Sequence, residues 1–191
     1  MITQDQIAEL EKKVEELSIF RQVGKALTST LDLQEVLSLI MGKISELLKP
    51  SNWSLLLIDD KKKELQLQIA IGKDSSQVTD FRIRIGEGLA GWVAQAGESA
   101  IVPDVTKDPR FSPQIDGAIY SNVRSIACVP LKSKERTLGV IQLVNCFEDA
   151  FPNEDLSILK SLADYAAIAI ENAMYVKRIQ ELTITDDCTN L

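Results

Sequence analysis

The feature of the sequence that most restricts its fold is a long helical pattern near the C-terminus, which runs from Asn153 to about Thr183. At about 1.5 Å per residue, a helix of this length is roughly 45 Å long, far longer than the domain before it needs. Apolar residues recur along it at steps of three and four, which is the spacing of a heptad seam. Because other apolar residues lie on further sides, we expect its burial against both a sheet and a second helix.

The N-terminal residues carry a second heptad pattern. Ile7, Leu10, Val14 and Leu17 lie at steps of three, four and three, and Glu and Lys fill the positions between them. This segment precedes the domain and has nothing else to pack on, so the seam needs a partner helix. We therefore predict a homodimer through the terminal helices. The predicted interface residues are Leu10, Val14, Leu17, Leu162, Ala166, Ala169, Ala173 and Val176.

The middle of the chain combines one helix with several strands. Residues 33–48 place their apolar side chains on one broad face and stop before Pro50, which predicts a helix. WSLLLIDD and ELQLQIAI predict an antiparallel hairpin, and Leu65, Leu67, Ile69 and Ile71 alternate with polar residues in its second strand. FRIRI and SAIV predict short strands, while RSIACVPLK and TLGVIQLVN predict two strands at the centre of a sheet.

Two loop-forming segments interrupt this pattern. GEGLAGWVAQAGE predicts a short helix that ends at Gly97. Residues 103–123 contain Pro103, Pro109 and Pro113 and show only patchy periodicity, which predicts an irregular crossover carrying one short helix. Long loops on a compact scaffold are usually functional or mobile, so we look for a binding site here.

Charge and residue types exclude several functions. The net charge of -7 and the lack of a dense Lys/Arg patch argue against nucleic acid as a partner. No apolar run is long enough to span a membrane and no signal peptide is recognisable, so we expect a cytoplasmic protein without membrane contact. Histidine is absent and Cys128, Cys146 and Cys188 show no CxxC spacing, so we expect no metal and no cofactor.

Five segments follow one another in an order typical of one family: GEGLAGWVAQAGE, PDVTKDPRF, VRSIACVPL, TLGVIQLVN and FPNEDLSILKSLADYAAIAIENA. From about Leu31 to Ala173 the chain resembles the GAF domain. The resemblance implies an α+β fold of the GAF/PAS type, with an antiparallel β-sheet, helices packed on one face and a loop-covered pocket on the other. Long N- and C-terminal helices would flank this domain.

The last residues resemble the start of a second family. In TITDDCTNL, Asp186, Thr189 and Leu191 match the opening of a GGDEF domain, whereas Cys188 and Asn190 replace the usual Leu and Gly. The expected organisation is an N-terminal coiled-coil signalling helix at 1–30, the GAF domain at 31–173, an exit linker helix at 174–184 and the start of a truncated GGDEF domain at 185–191. The parent protein would then be a diguanylate cyclase.

The resemblance also implies a pocket with apolar walls and few polar groups, as small-molecule sites usually have. An unknown small molecule would bind there, unless the side chains themselves fill the space. The expected ligand-binding residues are Phe81, Leu89, Trp92, Asp104, Phe111, Ile115, Tyr120, Arg124 and Ser125.

The sequence matches the motifs of two other GAF functions less well. Asn145, Phe151 and Asp155 match a motif of cyclic-nucleotide-binding GAF domains, but Cys146 and Leu156 replace its Lys and Glu. We therefore favour Phe151 as a core residue and residues 153–155 as the start of a helix. One branch of the GAF family reduces free methionine sulfoxide with cysteines in the loops around the pocket, one of them beside the Gly-rich helix. In this chain Ala90 occupies that position, and residues 103–123 contain no cysteine.

Together these features predict a sensory and dimerisation module that is not itself an enzyme. A ligand or partner would order the loops over the pocket, and the exit helices of two protomers would rotate or slide and so control a GGDEF output domain. The alternatives are a constitutive dimer spacer with a vestigial pocket, and a cyclic-nucleotide-binding GAF domain.

Overall fold

The computed structural model describes residues 6, 13–14, 17–18, 21–25, 33–72, 80–147 and 151–187, with only the backbone at 177 and 179–187. From residue 33 onward, the described residues form three helices and six strands in chain order. The helices are α1 (Leu33–Leu48), α2 (Gly88–Ala96) and α3 (Asn153–Asp187), and a 3-10 turn covers Val105–Lys107. The strands are β1 (Asn52–Asp59), β2 (Glu64–Ile71), β3 (Arg82–Arg84), β4 (Ala100–Val102), β5 (Ile126–Ser133) and β6 (Arg136–Val144).

The strands form one antiparallel sheet in the order β3-β2-β1-β6-β5-β4. The predicted hairpin is β1–β2, and the two apolar strands predicted last are β5 and β6. β6 lies at the centre beside β1, whereas β5 lies next to the edge, where β4 pairs with only three of its residues. The α+β fold with an antiparallel sheet is therefore confirmed.

The predicted alternation along β2 is correct only in its first half. Leu55 pairs with Ile69 and Leu56 pairs with Leu67, so Gln68 is an extra residue that forms a β-bulge. The bulge reverses the side to which the following residues point. Leu65 and Leu67 pack on one face of the sheet, Ile69 packs on the other, and Ile71 is 51% exposed.

One face of the sheet is covered by α1 and α3. α3 packs against β5, β6 and α1, and the apolar residues between these elements form what we call the helix-face core. Its fully buried members include Leu37, Ile40, Leu55, Val129, Leu159 and Leu162. The helical periodicity of both segments thus produces one continuous core.

The seam predicted to join two protomers is, in its first part, occupied within one protomer. Leu162 and Ala166 are 0% exposed and Ala169 is 6% exposed, and all three belong to the helix-face core. Because these side chains pack on the sheet and on α1, they are not available to a second chain, and this part of the interface prediction is wrong. Ala173 and Val176 are half-buried.

α3 continues beyond the domain as a single helix of 35 residues. After Ile170, none of the side chains described on α3 is buried. Its exposed apolar residues are Ile168, Met174 and Tyr175. The helix also includes residues 184–187, where the sequence predicted the end of the linker and the start of the next domain.

The N-terminal segment is described at a few positions, all of them helical. Val14 and Leu17 of the predicted dimer seam are 65% and 68% exposed, and Leu10 lies outside the described residues. Val23, by contrast, is fully buried in the helix-face core. The segment before α1 therefore contributes to the domain itself at this point.

Candidate functional site

The second face of the sheet is covered by α2 and by the crossover between β4 and β5. The apolar residues packed here form what we call the lid-face core, and they include six of the predicted pocket residues. Leu89 and Tyr120 are buried in it, and Phe81, Trp92, Phe111 and Ile115 pack against it while half-buried. The structure thus brings the aromatic and aliphatic part of the predicted site together.

Gly97 ends α2 as the sequence predicts. Its φ of 65° is left-handed, and its N–H donates to the carbonyl of Val93. A glycine adopts this conformation without the steric cost that a side chain adds. α2 therefore stops after Ala96, and the chain turns into β4 at the edge of the sheet.

The N-terminus of α2 is held by a residue from the crossover. The Asp116 carboxylate accepts hydrogen bonds from the N–H of Leu89 at 2.9 Å and from the N–H of Ser112 at 2.8 Å. It lies so close to Gly88 that a Cβ there would stand 2.9 Å from its Oδ1. A helix N-terminus attracts anions through its free N–H groups and its dipole. In this protein the chain's own carboxylate takes that position.

Asp116 is only 4% exposed. Burial raises the pKa of its carboxyl, while hydrogen bonds from the N–H groups of Ser112, Leu89 and Ala90 lower it, and the balance lies above the ordinary value. The nearby charge of Asp108 adds to the rise in this pKa. Sequence reasoning missed Asp116, although the dipeptide Asp116–Gly117 in a Pro-rich stretch is a turn signal.

A second polar contact fixes the crossover above α2. The Arg110 guanidinium donates two hydrogen bonds to the Asp108 carboxylate, at 2.9 and 2.6 Å, and lies 4.3 Å from the centre of the Trp92 ring. The Arg110 partner lowers the pKa of Asp108. Trp92 was predicted as a wall of the pocket, and its ring is covered by a cation from the loop. Neither Asp108 nor Arg110 was predicted.

The end of the crossover is fixed by Asn145, which follows β6. Its side-chain oxygen accepts from the N–H of Arg124 at 2.7 Å and of Ser125 at 3.3 Å, and its amide donates to the carbonyl of Asn122 at 3.0 Å. The Ser125 hydroxyl donates to the Phe147 carbonyl at 2.7 Å. Ser125 is buried, whereas Arg124 is exposed. Both predicted residues thus hold the loop end through these contacts.

Asp104 has a local role on the protein surface. Its carboxylate accepts from the hydroxyl and the N–H of Thr106, and it forms an ion pair with Lys107 at 2.9 Å. These hydrogen bonds lower the pKa of Asp104 to about 2. These contacts of Asp104 all lie within the 3-10 turn, so the structure does not place this carboxylate among the lid-face residues.

Tyr120 connects the crossover to the sheet. Its hydroxyl donates to the main-chain carbonyl of Trp53 in β1, and its ring is buried in the lid-face core. Burial raises the pKa of this phenol, so the hydroxyl stays protonated and keeps donating. The side chain that was predicted as a pocket wall is thus also an anchor for the loop.

The two cysteines in the described part of the chain lack the environment of a reactive thiol. Cys128 is fully buried in β5, and burial raises its pKa. Burial also raises the pKa of the half-buried Cys146, to about 12. A nucleophilic cysteine needs a lowered pKa, so both fit the expected role of small apolar residues. Cys188 lies outside the described residues.

The cyclic-nucleotide motif residues have structural contacts. Phe151 is 9% exposed, belongs to the helix-face core and lies 5.2 Å from the Phe147 ring. α3 begins at Asn153, so residues 153–155 form its first turn. These observations agree with the preferred interpretation of Phe151 as a core residue. In the described residues, no group of three or more acidic, cysteine or histidine side chains is placed to hold a metal ion.

The family model described as GAF domain matches residues 30–171, which is most of the chain. The chain belongs to the GAF domain family. A GAF domain is a sensory and regulatory module. Among curated relatives, a dual cyclic-AMP and cyclic-GMP phosphodiesterase 11 from Drosophila melanogaster is 26% identical over 88% of this chain. A Nif-specific regulatory protein from Herbaspirillum seropedicae is 33% identical over 66% of the chain.

The chain spans only 13% of the length of that phosphodiesterase and 23% of that regulator. Solved structures share the fold at lower identity. The GAF domain of an Acinetobacter phosphoenolpyruvate-protein phosphotransferase has a TM-score of 0.72 at 21% identity, covering 86% of this chain and 98% of that one. A free methionine-R-sulfoxide reductase from Neisseria meningitidis has a TM-score of 0.71 at 22% identity, covering 86% and 93%.

A membrane-spanning helix needs a long apolar stretch with few charged residues. Among the helices that the structure describes, α3 included, none meets this requirement.

Proposed function

We propose that this GAF domain is the sensory and dimerisation part of a longer signalling protein, and that it controls a C-terminal GGDEF diguanylate cyclase through α3. The observation that carries the proposal is the continuity of α3. Its first half forms part of the helix-face core, and its second half extends beyond Ile170, the last buried residue among the side chains that the structure describes. A rearrangement of the core would therefore move the segment that leads to the next domain.

The input to this helix would come from the lid face. Polar contacts at Asp116, Arg110 and Asn145 hold the crossover in one position above α2 and the sheet. A small molecule that replaced some of these polar contacts with its own would change the position of the crossover. Its effect on the output is limited to its difference in affinity for the two arrangements, about 1–3 kcal/mol in typical allosteric systems.

Dimerisation would use the faces of the terminal helices that the protomer leaves uncovered. Ile168 and Tyr175 are seven residues apart on α3 and are 46% and 53% exposed, so they share one side of the helix. Val14 and Leu17 are exposed as well. These residues replace Leu162, Ala166 and Ala169 in the proposed homodimer interface, because the latter are buried within the protomer.

A cyclic-nucleotide-binding GAF domain is the second candidate. It is favoured by the similarity to a dual cyclic-AMP and cyclic-GMP phosphodiesterase. The cyclic phosphate is an anion, and the N–H groups at the start of α2 would suit it. Since Asp116 already accepts from Leu89 there, this ligand would have to displace the carboxylate. A third candidate, a constitutive dimer spacer, would bind no ligand at all.

Thermal unfolding with cyclic AMP, cyclic GMP and a panel of metabolites separates these candidates. A ligand that binds the lid face raises the melting temperature, because binding to the folded state stabilises it. Phe111→Ala should abolish the rise, whereas Asp104→Ala should keep it, since the contacts of Asp104 lie within its own turn. A complete panel without any shift would support the spacer.

Sedimentation tests the dimer. The double variant Ile168→Glu and Tyr175→Glu should be monomeric, because it places two carboxylates on the exposed side of α3. The double variant Lys61→Gln and Lys62→Gln is the matched control, since it lowers the net charge by the same two units at the exposed turn between β1 and β2. This control should remain dimeric. An intact dimer in the α3 variant would overturn the proposed interface.

An enzyme assay tests the output. The parent protein, with any residues that follow Leu191, should form cyclic di-GMP from GTP. Replacing Ile168 and Tyr175 by Glu in that protein should lower this activity, because the two output domains would no longer be held together. A parent protein without cyclase activity would overturn this part of the proposal.

A further inference from the structure

A groove of about 460 Å³ lies on the side of the domain opposite to the lid. It is bounded by the turn after α2, by the β4–β5 edge of the sheet and by the first half of α3. Its apolar members Ile101 and Leu156 pack against the helix-face core, which places the groove on that face of the sheet. No residue of the groove belongs to the lid-face core.

The groove forms where the sheet edge changes. β4 pairs with β5 only as far as Cys128, so the next residues of β5 have no partner strand on that side among the described residues. Pro130 lies in this uncovered part and has no N–H to offer to another strand. The three apolar residues Ile101, Pro130 and Leu156 are half-buried and give the groove a surface for an aliphatic group.

Each wall of the groove carries one positive and one negative side chain. Glu98 and Lys132 come from the α2–β4 turn and from β5, and Lys160 and Asp164 come from α3. In the crossover, by contrast, Asp104 is paired with Lys107. Within the described part of the chain, none of the four groove charges has an ion pair or a hydrogen bond from its side chain.

Two further details concern the charged groups Lys132 and Asp164. A Cβ on Gly97 would stand 3.3 Å from the Nζ of Lys132, so this ammonium group lies over the turn at one end of the groove. Asp164 is exposed, but partial desolvation raises the pKa of its carboxyl, and no cation in the described residues offsets this effect. A bound ammonium group would supply the missing partner.

We propose that this groove binds a small zwitterion, a free α-amino acid with an aliphatic side chain. The ligand's carboxylate would pair with a lysine, its ammonium with Asp164 or Glu98, and its side chain would lie on the apolar residues of the groove. A ligand with both charges can pair with one positive and one negative side chain of a groove whose own charges sum to zero, whereas a simple anion or cation can pair with side chains of only one sign. Because the first half of α3 forms one wall, the ligand would contact α3 directly.

The test uses the ¹⁵N-labelled 191-residue chain and three matched probes. They are L-leucine, L-leucinamide, which keeps only the positive charge, and 4-methylpentanoate, which keeps only the negative charge. L-leucine should shift the amide signals of Gly97, Ser99 and Lys132, and each single-charge probe should bind at least about tenfold more weakly. Signals from lid-face residues such as Trp92 should not move.

Variants of the groove provide the second arm. Asp164→Asn and Lys160→Met should each weaken L-leucine binding about tenfold. Arg178→Met is the matched control, because it removes a positive charge from an exposed position of α3 outside the groove, and it should leave binding unchanged. Lys160 and Asp164 are themselves exposed, so the fold should be retained in both groove variants.

Three results would overturn the proposal. The first is that no signal moves at about 10 mM L-leucine, since weaker binding would be too weak to act as a signal. The second is that the single-charge probes bind as well as L-leucine does. The third is that only lid-face signals move, which would place the ligand on the other side of the sheet.

Discussion

The two faces of the sheet are held in different ways. On the helix face, two long helices bury apolar side chains in a continuous core that includes Leu37, Leu159 and Leu162. On the lid face, a helix of nine residues and an irregular crossover are held by single polar contacts, above all those of Asp116 and Asn145. Both faces bury an apolar core, but on the lid face a few specific polar contacts also fix the crossover.

This difference suits a sensor. Apolar packing is non-directional and spread over many residues, so it resists local change. A hydrogen-bonded carboxylate is a single contact that a ligand can replace, and its loss leaves buried N–H groups without partners. In the proposed function, a ligand would therefore act on the polar contacts of the lid face while the helix face keeps the domain folded.

The largest expected effect is on the helix face. Leu162→Ala leaves a cavity beside α1 and the sheet, and the free energy of unfolding should fall by about 3 kcal/mol. Urea unfolding at two protein concentrations measures it. Ile168→Ala, on the exposed side of the same helix, should change the unfolding of the monomer little and instead weaken self-association. If Leu162→Ala weakened self-association and Ile168→Ala lowered the free energy of unfolding instead, Leu162 would belong to the dimer interface.

A smaller effect is expected where the crossover meets α2. Asp116→Ala leaves the N–H groups of Leu89 and Ser112 without their acceptor, and stability should fall by about 2 kcal/mol. Hydrogen exchange should become faster at Leu89, Ala90 and Ser112 but not in α1. Asp104→Ala is the matched control, because its contacts stay within an exposed turn. If hydrogen exchange became faster over both faces alike, Asp116 would not act as a local contact of the lid face.

The cation over Trp92 should matter less. Arg110→Gln removes both the ion pair with Asp108 and the contact with the ring, which together should cost about 1 kcal/mol at this partly exposed site. Trp92 fluorescence should report a more solvated ring. An unchanged spectrum and an unchanged melting temperature would show that the crossover is fixed without this contact.

The smallest effect is on pH dependence. Because the pKa of Asp116 is raised in the folded state, the folded protein binds this proton more readily than the unfolded chain. The resulting stabilisation is complete below the ordinary value of 3.8 and is lost as pH rises through the raised pKa. The unfolding free energy of the wild type, relative to that of Asp116→Asn, should therefore fall across this window. Chemical denaturation at a series of pH values measures it, and a relative stability that rose with pH would contradict the burial argument.

The helix face could be predicted well from sequence because it depends on periodicity. Leu33 to Leu48 and the start of α3 show a helical repeat of apolar residues, and both helices lie where that repeat places them. The strands β1, β5 and β6 are runs of β-branched and apolar residues with turns between them, so their existence could be predicted as well.

The lid face was predictable only in its apolar members. Phe81 and Phe111 in loops and Trp92 in α2 stand out as large aromatic side chains, and all three pack against the lid-face core. Asp116 lies 27 residues from Leu89 in the chain, and nothing in the local sequence links a loop aspartate to that helix N-terminus. Contacts of this kind depend on tertiary structure, which periodicity does not encode.

The dimer seam shows a different limit. Leu162, Ala166 and Ala169 have the spacing of a coiled coil, but a helix that packs on a sheet needs the same spacing. The sequence could not distinguish a partner helix from the protomer's own sheet and α1. The structure places Leu162, Ala166 and Ala169 in the protomer's own core, so the proposed dimer interface uses the exposed Ile168 and Tyr175 on another side of α3.

The extra residue in β2 has a consequence for comparing members of this family. Because Gln68 reverses the orientation of the strand, Leu67 and Ile69 belong to different cores although only one residue separates them. A relative that lacked this insertion would send its downstream side chains to the opposite layer. One gap in an alignment at this point would therefore exchange the positions that face the helix-face core with those that face the lid-face core, even where the residue types on either side look alike.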